Sequence, residues 1–131
     1  MVRSQMLVIR KQGASLNLPY RFGNLVTCGW WSDIWLNEGF AIYVSFLGVQ
    51  HVSDGKFDFV KEMLWDSVQY ALNYDVGRDM SVINAAKYAD EIDTVFGTLT
   101  YDKGGSLIRM LDYLMGREVL TDALAEYLEK L

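Results

Sequence analysis

Cysteine, histidine and proline occur once each in these 131 residues. The lone cysteine, Cys28, excludes an internal disulfide and any zinc cluster built on thiolates. Lying between Val26 and Trp30, it reads as a buried, reduced thiol rather than a nucleophile. The lone histidine, His51, has no nucleophile in a recognised arrangement, which excludes Ser-His-Asp and Cys-His chemistry. Basic residues are in the minority, 12 Lys and Arg against 17 Asp and Glu. A net charge of −5 argues against nucleic acid as a partner. No apolar run approaches the ~18–20 residues that would cross a bilayer. Met6 to Ile9, flanked by Arg3, Arg10 and Lys11, is too short for a signal-peptide core. By its own sequence the chain is expected to be neither secreted nor anchored.

Hydrophobic residues, in contrast, make up 51% of the chain and aromatics 14%, which excludes disorder. The length is that of one domain with a moderate core. Helical spacing dominates. Trp35, Leu36, Phe40, Tyr43, Val44 and Leu47 predict a first helix, with Gly48 marking its end or a weak point near it. Ser53 or Asp54 is placed to cap a second, whose apolar face would be Phe57, Val60, Leu64, Val68 and Leu72, closed by Gly77. A third helix would start near Ala89, with Asp90 and Glu91 in its first turn. A fourth would cover about Gly104 to Met115, with Leu107, Ile108, Leu111 and Leu114 on one side. The last would start near Thr121 and show Leu120, Ala123, Leu124, Tyr127 and Leu128. Only Asn24 to Cys28 hints at a strand. The expected fold class is all-α, without repeats. Residues 1–21 read as a divergent segment interrupted by Pro19, and 22–131 as the patterned domain. Leu131 falls inside an amphipathic pattern, so the chain is expected to be a piece of something larger.

Two strings carry the chemistry. Gly23-Asn24-Leu25-Val26-Thr27 precedes Trp35-Leu36-Asn37-Glu38-Gly39-Phe40 at short range. Downstream come Ala89-Asp90-Glu91-Ile92-Asp93 with Phe96, then Thr100-Tyr101-Asp102-Lys103-Gly104-Gly105-Ser106 through Leu111. Together they resemble the gluzincin zinc aminopeptidases, the family of membrane alanyl and puromycin-sensitive aminopeptidases, over roughly residues 22–131. The resemblance implies the helical part of a thermolysin-like zinc metallopeptidase catalytic domain, incomplete here. It implies hydrolytic removal of N-terminal residues from peptides, with Zn²⁺ as the cofactor of the parent family and a peptide as its substrate. Family members are membrane-anchored extracellular or cytoplasmic proteins, so the compartment stays open. Glu38 matches the position of the third zinc ligand. Tyr101 matches the tyrosine that hydrogen-bonds the oxyanion of the tetrahedral intermediate. A donor aimed at charge that develops only in the transition state contributes about 3–4 kcal/mol.

The sequence also departs from that pattern. A hydrolytic zinc needs three protein ligands and an open position. The family's His-Glu-x-x-His would fall on Ser15, Leu16, Asn17, Leu18 and Pro19. Leu16 cannot abstract a proton, and Pro19 offers no donor and breaks a helix. Two ligands and the general base are therefore missing together. His51 cannot replace them, because thirteen helical residues place it ~20 Å along the axis from Glu38. Nothing in residues 1–21 resembles the family's motif for gripping a substrate's α-amino group, Gly-Ala-Met-Glu-Asn or a variant. The chain alone is expected to be inactive and to bind Zn²⁺ weakly. Alternatives are a non-catalytic helical module, such as a truncated isoform binding a full-length partner or a copy of itself, and a mis-assembled gene product.

Other features invite weaker readings. Asp33 reads either as a carboxylate at a helix start or as a group orienting a ligand. The spacing of Trp30, Trp31 and Trp35 favours packing over a peptide pocket. Asp90, Glu91 and Asp93 lack the glycine turn and distal glutamate of a calcium loop. Gly104-Gly105 lacks phosphate-loop spacing.

Overall fold

The computed structural model describes residues 27–130, apart from 79, 84, 85 and 87. Positions 15–19 and the string 23–26 lie outside the described residues, as does most of the possible strand at 24–28. Every regular element among the described residues is helical. No helix among them is long and apolar enough to cross a membrane.

A single 3-10 turn, Trp31–Asp33, leads into helix α1, Ile34–Val52. Its buried side carries Ile34, Asn37, Gly39, Phe40 and Tyr43. Gly48 does not end this helix, which runs one turn further, to Val52. A mid-helix glycine costs about 1 kcal/mol against alanine. Phe46 and Leu47, packed against the core, hold the backbone helical through it.

The next helix, α2 (59–75), contains a widened π-turn at Leu64–Val68 between the α-helical pieces Phe59–Met63 and Gln69–Asp75. Its cap is Asp58, whose Oδ1 accepts from the Lys61 amide at 3.1 Å, not Ser53 or Asp54. Ser53 instead accepts from the Phe57 amide through its Oγ. Asp54, with φ +51°, turns the chain. The buried stripe of α2 is Phe59, Met63, Ser67 and Ala71. Val60, Leu64 and Leu72, expected inside, are exposed. The helix carries two stripes at the same period, and periodicity alone cannot say which one meets a partner.

A 3-10 segment, Ala89–Val95, replaces the third expected helix. A second π-turn, Leu99–Lys103, then opens directly into α3, Gly104–Met115. Gly116, at φ +83°, bends the chain into α4, Arg117–Lys130, which starts four residues before the expected Thr121. In α3 the buried positions are Gly104, Gly105, Ser106, Ile108 and Asp112. Leu111 and Leu114 face outward, contrary to the expected apolar side. In α4, Leu120 and Ala125 are buried, whereas Ala123 and Tyr127 are exposed.

The main core joins α1, α2 and α3 through Phe40, Tyr43, Phe59, Met63 and Ile108. Tyr43 and Phe59 meet edge to face, ring centres 5.7 Å apart. A smaller cluster of Ile34, Ala86 and Val95, flanked by Cys28 and Trp31, packs beneath the start of α1.

Candidate functional site

Glu38 and Tyr101, 63 positions apart in sequence, meet where α1 crosses the second π-turn. Their side chains lie close enough for the Tyr101 hydroxyl and the Glu38 carboxylate to perturb each other, without a hydrogen bond of regular geometry. Both are half-buried. Burial pushes the Glu38 pKa above its ordinary value, and the nearby Tyr101 hydroxyl opposes that rise without cancelling it. Burial and then the negative charge of Glu38 push Tyr101 upward as well. Tyr101 is thereby kept a neutral donor.

Local structure fixes each partner. Glu38 precedes Gly39, which lies against the backbone of Gly104 and Gly105. Tyr101 sits in the middle of the π-turn, and the Thr100 hydroxyl beside it donates to the Val95 carbonyl. The Tyr101 ring leans on Phe96 at 6.5 Å, and Phe96 meets Trp31 edge to face at 6.1 Å. On the far side of the turn, the Lys103 ammonium bonds the Asp75 carboxylate at 2.7 Å and the Met80 carbonyl at 2.6 Å. This ties the turn to the end of α2. Burial pushes the Asp102 carboxyl upward, against the influence of the nearby Ser67 hydroxyl.

The remaining candidates do not converge. His51 is exposed in the last turn of α1, at the opposite end from Glu38. Asp33 precedes α1 but makes no side-chain cap. Cys28 packs in the smaller cluster, and burial raises its pKa, so it remains a thiol. Trp30 is largely exposed, although its Nε1 donates to the Ala86 carbonyl at 2.9 Å. Trp31 and Trp35 pack as their spacing implied. Glu91 accepts from the Tyr88 amide, within the first turn of its 3-10 segment. Among the described residues, no three His, Cys, Asp or Glu side chains could hold a metal together. Glu38 lacks two companions, so the described residues do not by themselves fit a hydrolytic zinc.

Sequence reasoning overlooked the three glycines at the crossing. A signal for them was available: each site residue is followed within four positions by glycine.

The peptidase family M1 domain matches residues 20–131. The chain belongs to that family. Among relatives, aminopeptidase M1-D of Oryza sativa subsp. japonica is 41% identical over 114 residues, 83% of this chain and 12% of that protein. The mitochondrial aminopeptidase 2 of Saccharomyces cerevisiae is 37% identical over 110 residues, 83% of this chain and 11% of its own. Aminopeptidase N of Mus musculus is 39% identical over 119 residues, 82% and 11% respectively. The chain therefore spans about an eighth or less of the curated relatives it matches. No solved structure matches it.

Proposed function

We propose that this chain carries the second half of an aminopeptidase zinc site and is catalytically silent by itself. The parent chemistry is zinc-dependent removal of N-terminal residues from peptides. In that reading Glu38 occupies the third-ligand position and Tyr101 the oxyanion-donor position. Residues 22–131 form the partial catalytic domain, and 1–21 a divergent segment. The observation that carries the reading is the proximity of Glu38 and Tyr101, two residues singled out by separate strings. The reading of silence rests on the donor set, which among the described residues offers Glu38 without two further ligands.

The test is hydrolysis of an aminoacyl reporter by the purified chain with added Zn²⁺, paired with calorimetric zinc titration. Neither turnover nor tight stoichiometric binding is expected. Zinc-dependent turnover that disappears in Glu38→Ala would overturn the silent reading.

A second reading, a non-catalytic helical module, is favoured by the apolar residues that α3 and α4 turn outward. Tyr113 is 84% exposed and Leu114 75%, and Val119 is exposed as well. Such a face suits docking on a longer chain of the same family. A strictly monomeric protein in size exclusion that captures no purified family member would count against it.

A further inference from the structure

Five described glycines, Gly29, Gly55, Gly77, Gly97 and Gly116, have open space where a Cβ would stand. Three others do not. A Cβ on Gly39 would lie 2.7 Å from the Gly104 carbonyl carbon and 3.0 Å from the Gly105 nitrogen. One on Gly104 would lie 3.0 Å from the Trp35 carbonyl oxygen, and one on Gly105 2.9 Å from Ile42 Cγ2. Ordinary contact begins at 3.4 Å, so a methyl group at Gly39 demands a shift of 3.4 − 2.7 = 0.7 Å against rigid backbone. Two helices carrying side chains at their crossing stay about 8–10 Å apart. Here the missing side chains let the two backbones touch.

This contact lies next to the polar pair. Glu38 adjoins Gly39, while Tyr101 precedes Gly104 and Gly105 by three and four positions, the spacing that shares a helix face. The interaction between the Tyr101 hydroxyl and the Glu38 carboxylate falls as the two separate. Displacement of the helices by most of an ångström would thus weaken it.

We propose that Gly39, Gly104 and Gly105 are positioning residues, whose backbone-to-backbone contact holds Tyr101 beside Glu38. The functional meaning of this device rests on the aminopeptidase reading of those two residues. The device itself does not, and it is read without zinc.

The experiment uses the full chain with 3-fluorotyrosine in place of Tyr101 and follows its ¹⁹F resonance. Glu38→Gln should shift that resonance in the otherwise unchanged chain. In a Gly105→Ala background the response to Glu38→Gln should fall to roughly half or less, because the pair is drawn apart. Adding Ile42→Ala removes the methyl group that the new side chain would strike and should restore the response. A merely structural role would lower stability without abolishing this coupling, so a folded Gly105→Ala chain that keeps the full response overturns the proposal. So does a chain with native glycines whose resonance ignores Glu38→Gln. Failure of Ile42→Ala to restore the response, whether or not the doubly substituted chain folds, overturns it too. Loss followed by restoration supports it, including the case in which Gly105→Ala alone unfolds the chain and the second change recovers both fold and response.

Discussion

The two ends of the α1–α3 crossing are held by opposite means. At the end that carries Glu38 and Tyr101, the helices meet through glycines, and the specific side-chain contact is a half-buried polar pair. From Phe40, directly after Gly39, to Tyr43, about a turn further along α1, the helix interlocks instead with Phe59, Met63 and Ile108. Beside them Arg117 reaches back across Gly116 to grip Asp112, Nη2 to Oδ2 at 2.8 Å, while its guanidinium covers the Phe59 ring. The Tyr43 hydroxyl is buried beside this pair without a hydrogen bond of regular geometry, and burial pushes its pKa up. Stability therefore comes mainly from the side-chain end, while the glycine end sets geometry. Close packing tolerates little loss of volume, whereas a glycine contact tolerates no gain.

Three substitutions sharpen that contrast, in falling order of expected effect. Met63→Ala empties a fully buried site at the packed end and should cost about 3 kcal/mol in urea unfolding. A loss below 1 kcal/mol would show that the packed end is not where stability resides. Gly39→Ala should cost about 2 kcal/mol through overpacking. The sign is the informative part, because the same change inside an unobstructed helix stabilises by about 1 kcal/mol. A stabilised Gly39→Ala protein would remove the distinction between the two ends.

The smallest effect concerns pH. The Glu38 carboxyl is raised above its ordinary 4.5, so folding favours its uncharged form. Its stabilising contribution is complete below that value and is lost as pH rises through the higher folded one. Glu38→Gln carries no such titration. Unfolding midpoints of the two proteins, compared from about pH 4 to pH 7, should diverge in favour of the variant as pH rises. Parallel curves would mean that burial does not govern this carboxylate.

The helical class was legible because residues such as Phe40, Tyr43 and Leu47 recur at the period of one helix face. The candidate site residues stood out for a different reason: Glu38 and Tyr101 sit in long, specific strings. Which stripe of each helix turns inward was not legible. Val60, Leu64, Leu111 and Leu114 fit the period as well as Phe59, Met63 and Ile108, yet they are exposed. Apolar character near the site gave no guide either, because the buried stripes there run through Ser67, Ala71, Gly104, Gly105 and Ser106. Small residues admit a neighbouring backbone, and hydrophobic periodicity does not register them.

The sequence by itself determined the helical periods, the family membership carried by the strings, and the lack of histidines to complete a metal site. These follow from residue identity and spacing along the chain. Only the tertiary structure decided that Glu38 and Tyr101 form one pair, that Gly39 meets Gly104 and Gly105, and that His51 lies at the wrong end of its helix. Those facts depend on how two helices cross, and a crossing is set by the shapes of both surfaces at once.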